Sequence, residues 1–170
     1  LGEGEETLAE LTTLGARGRD VSQVNPAPPS WGEVKGIAFR RDGACVRTLP
    51  RSRIRQIDEI PEPNWDQIPL TQYLDHEMGF GVNRGRSMPI LATRGCPYQC
   101  TFCSAPEMWT TRYVVRDPQM VVDEIEGYIE RYKVENIDFI DLTAVVKRRW
   151  AIEFTNELIK RDLKITWQLP

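Results

Sequence analysis

Residues 88–103 read MPILATRGCPYQCTFC, a short apolar run followed at once by three cysteines, Cys96, Cys100 and Cys103. The apolar run, 88–93, has the length and composition of a strand. The cysteine loop extends from 94 to 116, and Gly95 permits a backbone turn that aims Cys96 inward. Beyond it, Asp117-Pro118 is a helix start, a capping residue followed by proline at the first helical position. Val121, Ile125 and Ile129, with Val122, Tyr128 and Tyr132 beside them, make a helical stripe to about Lys133. NIDFID (136–141) is a second strand, 147–161 a second helix with Trp150, Ala151, Phe154 and Leu158 inward, and KITWQL (164–169) a third strand. The order β-α-β-α-β with short connections predicts an α/β fold on a parallel sheet with right-handed crossovers.

The cysteines have the spacing C-x3-C-x2-C and directly follow a parallel strand. In α/β barrels the loops at the carboxyl ends of strands build the active site. A structural zinc takes four ligands, and so does an electron-transfer four-iron cluster. Here there are three thiols in the loop, one further cysteine, Cys45, and a single histidine, His76, neither at metal-pair spacing to the triplet. The economical reading is a four-iron four-sulfur cluster with three irons held by protein and one left open, the mark of a catalytic metal. A structural zinc or a disulfide is the alternative.

With Phe102 as the aromatic before the third cysteine, this loop resembles the radical S-adenosylmethionine (SAM) signature. The resemblance implies that Cys96, Cys100 and Cys103 ligate the cluster and that its open iron chelates the amino and carboxylate groups of SAM. One electron from the reduced cluster then breaks a carbon–sulfur bond of the sulfonium, giving methionine and a 5′-deoxyadenosyl radical. Phe102 becomes a wall and backbone contact for the adenine. Where the family often has a glycine-rich acidic motif after the second strand, this sequence has Asp141-Leu142-Thr143, and Asp141 is the carboxylate expected to meet the methionine amino group. An electron donor such as a flavodoxin or ferredoxin and a small-molecule substrate are implied as partners.

A wider resemblance takes in GEGEETL, the hairpin GIAFRRDG, the linker DEIPEPNWD, RGCPYQCTFCS and IDFIDLTAVVKRRW. Together these resemble the radical SAM enzymes that carry an amino-terminal cobalamin-binding domain. The implied fold is the first half of a partial (βα) barrel, preceded by the carboxy-terminal remnant of a Rossmann-like cobalamin domain. In this reading residues 1–33 are the remnant and a loop, 34–87 a β-hairpin and Pro-rich linker, and 88–170 a truncated radical SAM core. Gly2 and Gly4 would face the cobalamin tail, and the activity would be methyl transfer or cyclisation on an unactivated carbon. The Asp-x-His-x-x-Gly motif of the lower cobalt ligand does not occur. A radical SAM enzyme without cobalamin and a zinc-stabilised binding module are the competing readings.

Upstream, Leu8, Leu11 and Leu14 share one helical face, and Asp42-Gly43 makes the tight turn of a hairpin over 34–48. Residues 49–87, with Pro50, Pro61, Pro63 and Pro69, read as an extended linker anchored by Ile60, Trp65 and Ile68. Leu1 opens on a helix-like pattern and Pro170 directly follows a strand, so both ends read as cuts in a longer protein.

Composition narrows the classes further. Apolar residues make 41% and charged residues 28%, which argues against wholesale disorder. The net charge of −3 and a pI of about 5.3 demand neither nucleic acid nor an anionic membrane. No apolar run approaches the ~20 residues of a membrane span, and clustered thiols without a signal peptide place the chain in a reducing, cytoplasmic setting. Six arginines in 36–55 against Asp42 give a local charge of +5, read as a hairpin balancing an acidic neighbour rather than as an RNA site. Lys147-Arg148-Arg149 reads as a solvated face, while Trp109 and Tyr113 either line the site or pack beneath the loop.

Overall fold

The computed structural model describes residues 3–16, 29–79 and 81–169, so Gly2 and most of the loop expected over 16–33 lie outside the described residues. The chain divides into two units, Leu1–Arg55 and Gln56–Pro170.

In the first unit, helix α1 (Glu5–Ala16) carries Glu5 and Glu6 in its first turn, where acidic side chains complement the helix dipole. Strands β1 (Ala38–Arg41) and β2 (Ala44–Arg47) pair antiparallel across a two-residue turn. Both turn residues, Asp42 and Gly43, have positive φ (50° and 78°), the geometry an Asp-Gly hairpin turn requires. Arginines of the basic segment meet carboxylates of α1 and of Glu3 just before it. Arg51 pairs with Glu6 and Glu10 and donates from Nε to the Thr7 hydroxyl at 2.9 Å, and Arg53 pairs with Glu3 at 3.5 Å.

The second unit is built on strands β3 (Ser87–Ile90), β6 (Asn136–Phe139) and β7 (Thr166–Gln168). They form a parallel sheet in the order β3-β6-β7. Between them lie a short helix α2 (Leu70–Asp75) ahead of β3, then β4 (Thr93–Arg94), α3 (Ala105–Trp109), β5 (Val114–Val115), α4 (Pro118–Tyr132) and α5 (Arg148–Lys160). Helix α4 starts where its cap dictates, since the Asp117 carboxylate accepts from the Gln119 and Met120 amides at 2.8 and 3.3 Å.

One face of the sheet is apolar. Met88, Ile90, Ile137 and Phe139 join Val121, Val122 and Ile125 of α4 and Trp150, Phe154 and Leu158 of α5 in a single buried cluster. The Phe139 and Phe154 rings meet edge-on at 5.6 Å and Trp150 stacks on Phe154 at 5.3 Å. Each such side chain contributes roughly 1.5–3 kcal/mol by leaving water. The alternate residues of β6 are polar and equally buried. Asn136 donates from Nδ2 to the Ser87 hydroxyl at 3.1 Å and to Asp138 at 2.6 Å, and Gln168 also donates to Asp138. All four positions of β6 are buried, so both of its faces are covered.

Two expectations need correction. The run 88–93 is not one strand: it breaks after Ile90, and Thr93-Arg94 pair antiparallel with Val114-Val115. The segment 49–87 is not simply extended, because it holds two 3-10 turns (Ile57–Glu59 and Trp65–Gln67) and α2. Of the three expected anchors Trp65 packs on the core, whereas Ile68 is exposed. Leu70 and Leu74, one helical turn apart on α2, are the buried anchors instead.

Candidate iron–sulfur and SAM site

The cysteine loop leaves the sheet at the carboxyl end of β3 under firm restraint. Arg116 donates from Nη1 to the Leu91 carbonyl at 3.1 Å and to the Glu124 carboxylate at 2.6 Å. Its own amide donates to the Ala92 carbonyl at 2.9 Å, and its carbonyl accepts from the Trp150 indole at 2.7 Å. Glu124 is buried and also accepts from the Tyr128 hydroxyl, which accepts in turn from Trp65 Nε1 at 3.0 Å. A buried carboxylate so partnered is tolerable where an unpaired one is not.

From this base Gly95, at φ 84°, turns the chain into Cys96. Cys96 is half-buried, whereas Cys100 and Cys103 are exposed, and none is in a disulfide. The Cys103 amide donates to the Cys100 carbonyl at 3.1 Å, a tight turn holding these two on one short bend. The Ala105 amide lies 3.4 Å from the Cys103 sulfur and the Thr143 hydroxyl 3.3 Å from that of Cys96. Phe102 stands in solvent at 92% exposure. Arg94 lies over the Trp109 ring at 5.9 Å.

The segment after β6 closes against this loop. The Asp141 carboxylate is buried, at 2% exposure, and its Oδ2 accepts from the Ala92 amide at 3.3 Å. Its Oδ1 is buried without a hydrogen bond. Burial therefore pushes the carboxyl above the usual Asp range, with the Thr93 hydroxyl and the Ala92 and Thr93 amides opposing the shift. Thr93 donates to the Thr143 carbonyl at 3.4 Å and Tyr113 to the Ala144 carbonyl at 3.0 Å. Tyr113 is raised above the ordinary phenol range, chiefly by burial. Of the two aromatics left open, Tyr113 thus belongs to the wall of this site, and Trp109 sits beneath Arg94.

The donor set suits a thiolate-held cluster. Two of the three sulfurs have a hydrogen-bond donor in reach, as cluster thiolates commonly do. Among the described residues no three His, Cys, Asp or Glu side chains converge on a single ion. Of the two further candidate ligands, His76 ends α2 with Nδ1 2.7 Å from the Gln72 carbonyl, and Cys45 lies on β2.

Residues 90–169, from the end of β3 through the cysteine loop to β7, match the family model described as the Radical SAM superfamily. Residues 90–169 are a radical SAM domain. Over 98% of its length it is 36% identical to the anaerobic magnesium-protoporphyrin IX monomethyl ester cyclase of Rubrivivax gelatinosus, covering 28% of that protein. It is 28% identical, again over 98% of its length, to an uncharacterized methyltransferase of Pyrococcus horikoshii, covering 32% of that protein. Among solved structures it resembles the radical SAM methyltransferase TsrM of Kitasatospora setae, solved with cobalamin and a 4Fe–4S cluster bound. The TM-score is 0.59 at 25% identity, over 94% of this chain and 29% of that one. The chain spans less than a third of the length of these curated relatives.

The expected site residues divide. Asp141 and Cys96 lie on the two segments that Thr93, Tyr113 and Thr143 tie together. Gly4 is exposed, with open space where a side chain would stand, and Gly2 lies outside the described residues. Of the basic run, Arg149 pairs with Glu153 at 2.7 Å and is 91% exposed, whereas Lys147 lies over the Tyr113 ring at 6.0 Å. Thr143 and Arg116 were not singled out from sequence. Thr143's position two residues past the acidic end of a strand is the only local signal for it. No described helix is long and apolar enough to cross a membrane.

Proposed function

We propose that Cys96, Cys100 and Cys103 hold a 4Fe–4S cluster with one iron open to SAM, and that the chain is part of a cobalamin-linked radical SAM enzyme. The observation that carries this is three free thiols on one restrained loop, beside a buried carboxylate with an unpaired oxygen. When bound, the cluster and SAM supply one-electron cleavage of the sulfonium and so a 5′-deoxyadenosyl radical. Asp141 accepts the methionine amino group at Oδ1, which satisfies an otherwise orphaned buried acceptor. Phe102 folds over the adenine from its exposed position, and the Arg116 clamp on Leu91 holds the loop in register.

The cobalamin assignment draws support from TsrM, solved with cobalamin bound, and from a similarity that runs through α1 and the hairpin as well as the core. In this reading residues 1–33 are the end of a cobalamin-binding domain, with Gly2 and Gly4 toward the cofactor tail. Residues 34–87 are the hairpin and linker, and 88–170 begin a partial (βα) barrel. The reaction is methyl transfer or cyclisation at an unactivated carbon of a small molecule, fed by a flavodoxin- or ferredoxin-type donor in a reducing cytoplasm. The test is anaerobic reconstitution of the full-length protein with iron and sulfide, then reduction in the presence of SAM. Release of 5′-deoxyadenosine is expected; an intact cluster that releases none contradicts the proposal.

A further inference from the structure

The Thr143 hydroxyl sits between two acceptors. Its oxygen is 2.7 Å from the carbonyl of Leu142 and 3.3 Å from the sulfur of Cys96. It has one proton to give. Against a neutral thiol the nearer carbonyl is the better acceptor, and the thiol can itself donate to the threonine oxygen. Against a thiolate the balance reverses, because an anionic sulfur accepts only and charge-assisted hydrogen bonds are roughly twice as strong as neutral ones. The backbone that carries the oxygen is held in place. Asp141 is tied to Ala92, the Thr143 carbonyl accepts from Thr93 and the Ala144 carbonyl accepts from Tyr113, so the backbone on both sides of Thr143 is fastened to the cysteine-loop base.

We propose that Thr143 is a tuning residue, whose hydroxyl donates to the Cys96 sulfur of the bound cluster and raises the cluster's reduction potential. The inference rests on the reading of Cys96, Cys100 and Cys103 as cluster ligands. Reduction adds one electron from a low-potential donor and takes the cluster from the 2+ to the 1+ state, while the hydroxyl proton stays on oxygen. The added negative charge spreads onto the thiolates, so a donor at Cys96 stabilises the reduced form more than the oxidised one. Cys96 is singled out among the three because its donor is a side chain. Cys103 has a backbone amide, which only a proline substitution would remove.

The experiment compares the full-length protein with Thr143→Val, which keeps the shape and removes the proton, and Thr143→Ser, which restores it. Each is reconstituted anaerobically, assayed for iron and sulfide, and titrated by EPR-monitored redox potentiometry. Thr143→Val is expected to load fully and to show a reduction equilibrium about tenfold less favourable, ~59 mV more negative for one electron. Thr143→Ser is expected near the parent value. Full loading with an unchanged potential in Thr143→Val, or a serine variant as low as the valine one, overturns the inference and leaves the ligand assignment intact. No cluster in the parent protein overturns both. If Thr143→Val does not load, Thr143→Ala, which also lacks the proton, takes its place with the same expected and overturning potentials.

Discussion

The apolar face of the sheet and the cysteine loop are adjoining regions made on opposite terms. Behind β3 and β6 lies a single buried apolar cluster in which Phe139, Phe154 and Trp150 interlock. In the loop, Cys100, Phe102 and Cys103 are exposed, and the regular structure is two residues of β4, two of β5 and the five-residue α3. The sheet is stabilised by surface removed from water. The loop is held by a few polar ties, chiefly Arg116 to Leu91 and Tyr113 to Ala144. The lesson is that stability and chemistry are separable here, and substitutions should show it.

The largest expected effect is on the loop side. Replacing Cys96, Cys100 or Cys103 by alanine should abolish cluster assembly and 5′-deoxyadenosine release. In the cluster-free protein, replacement of exposed Cys100 or Cys103 should shift the unfolding free energy by no more than about 0.5 kcal/mol, measured by urea titration. A large loss of stability would break the separation. Phe154→Ala should do the opposite, costing about 3–5 kcal/mol in the same titration by opening a cavity against Phe139 and Trp150. Trp65→Phe removes the indole donor to Tyr128 while keeping most of the ring, and about 1 kcal/mol should be lost.

The smallest effect is a slope with pH. Burial raises the Asp141 pKa in the folded chain, so the native state gives up stability as pH climbs from the ordinary Asp value of about 4 through the raised one. Asp141→Asn lacks that loss. In cluster-free protein its stability should therefore gain on the parent as pH rises through that window. Parallel stability curves would show that the carboxyl is not desolvated in the native state.

How much of this could be read in advance depends on how local the signal is. Asp117-Pro118 marks the start of α4 because a cap acts on amides two and three residues away. The parallel strands announce themselves as short segments alternating with amphipathic helices, and the cysteine spacing is itself a local pattern. Helix α2 was missed because LTQYLD is short and lies among prolines, so only its burial of Leu70 and Leu74 reveals it. The β4–β5 pair was missed because its two-residue partners are separated by the whole cysteine loop. Thr143 meets Cys96 across 47 positions of sequence, a contact created by the fold alone.

The most direct test of the open-iron claim is Mössbauer spectroscopy of the full-length protein reconstituted with iron-57, recorded before and after adding SAM. One iron distinct from the other three, whose parameters move when SAM is added, is the expected result. Four irons that remain indistinguishable and unmoved by SAM would contradict it.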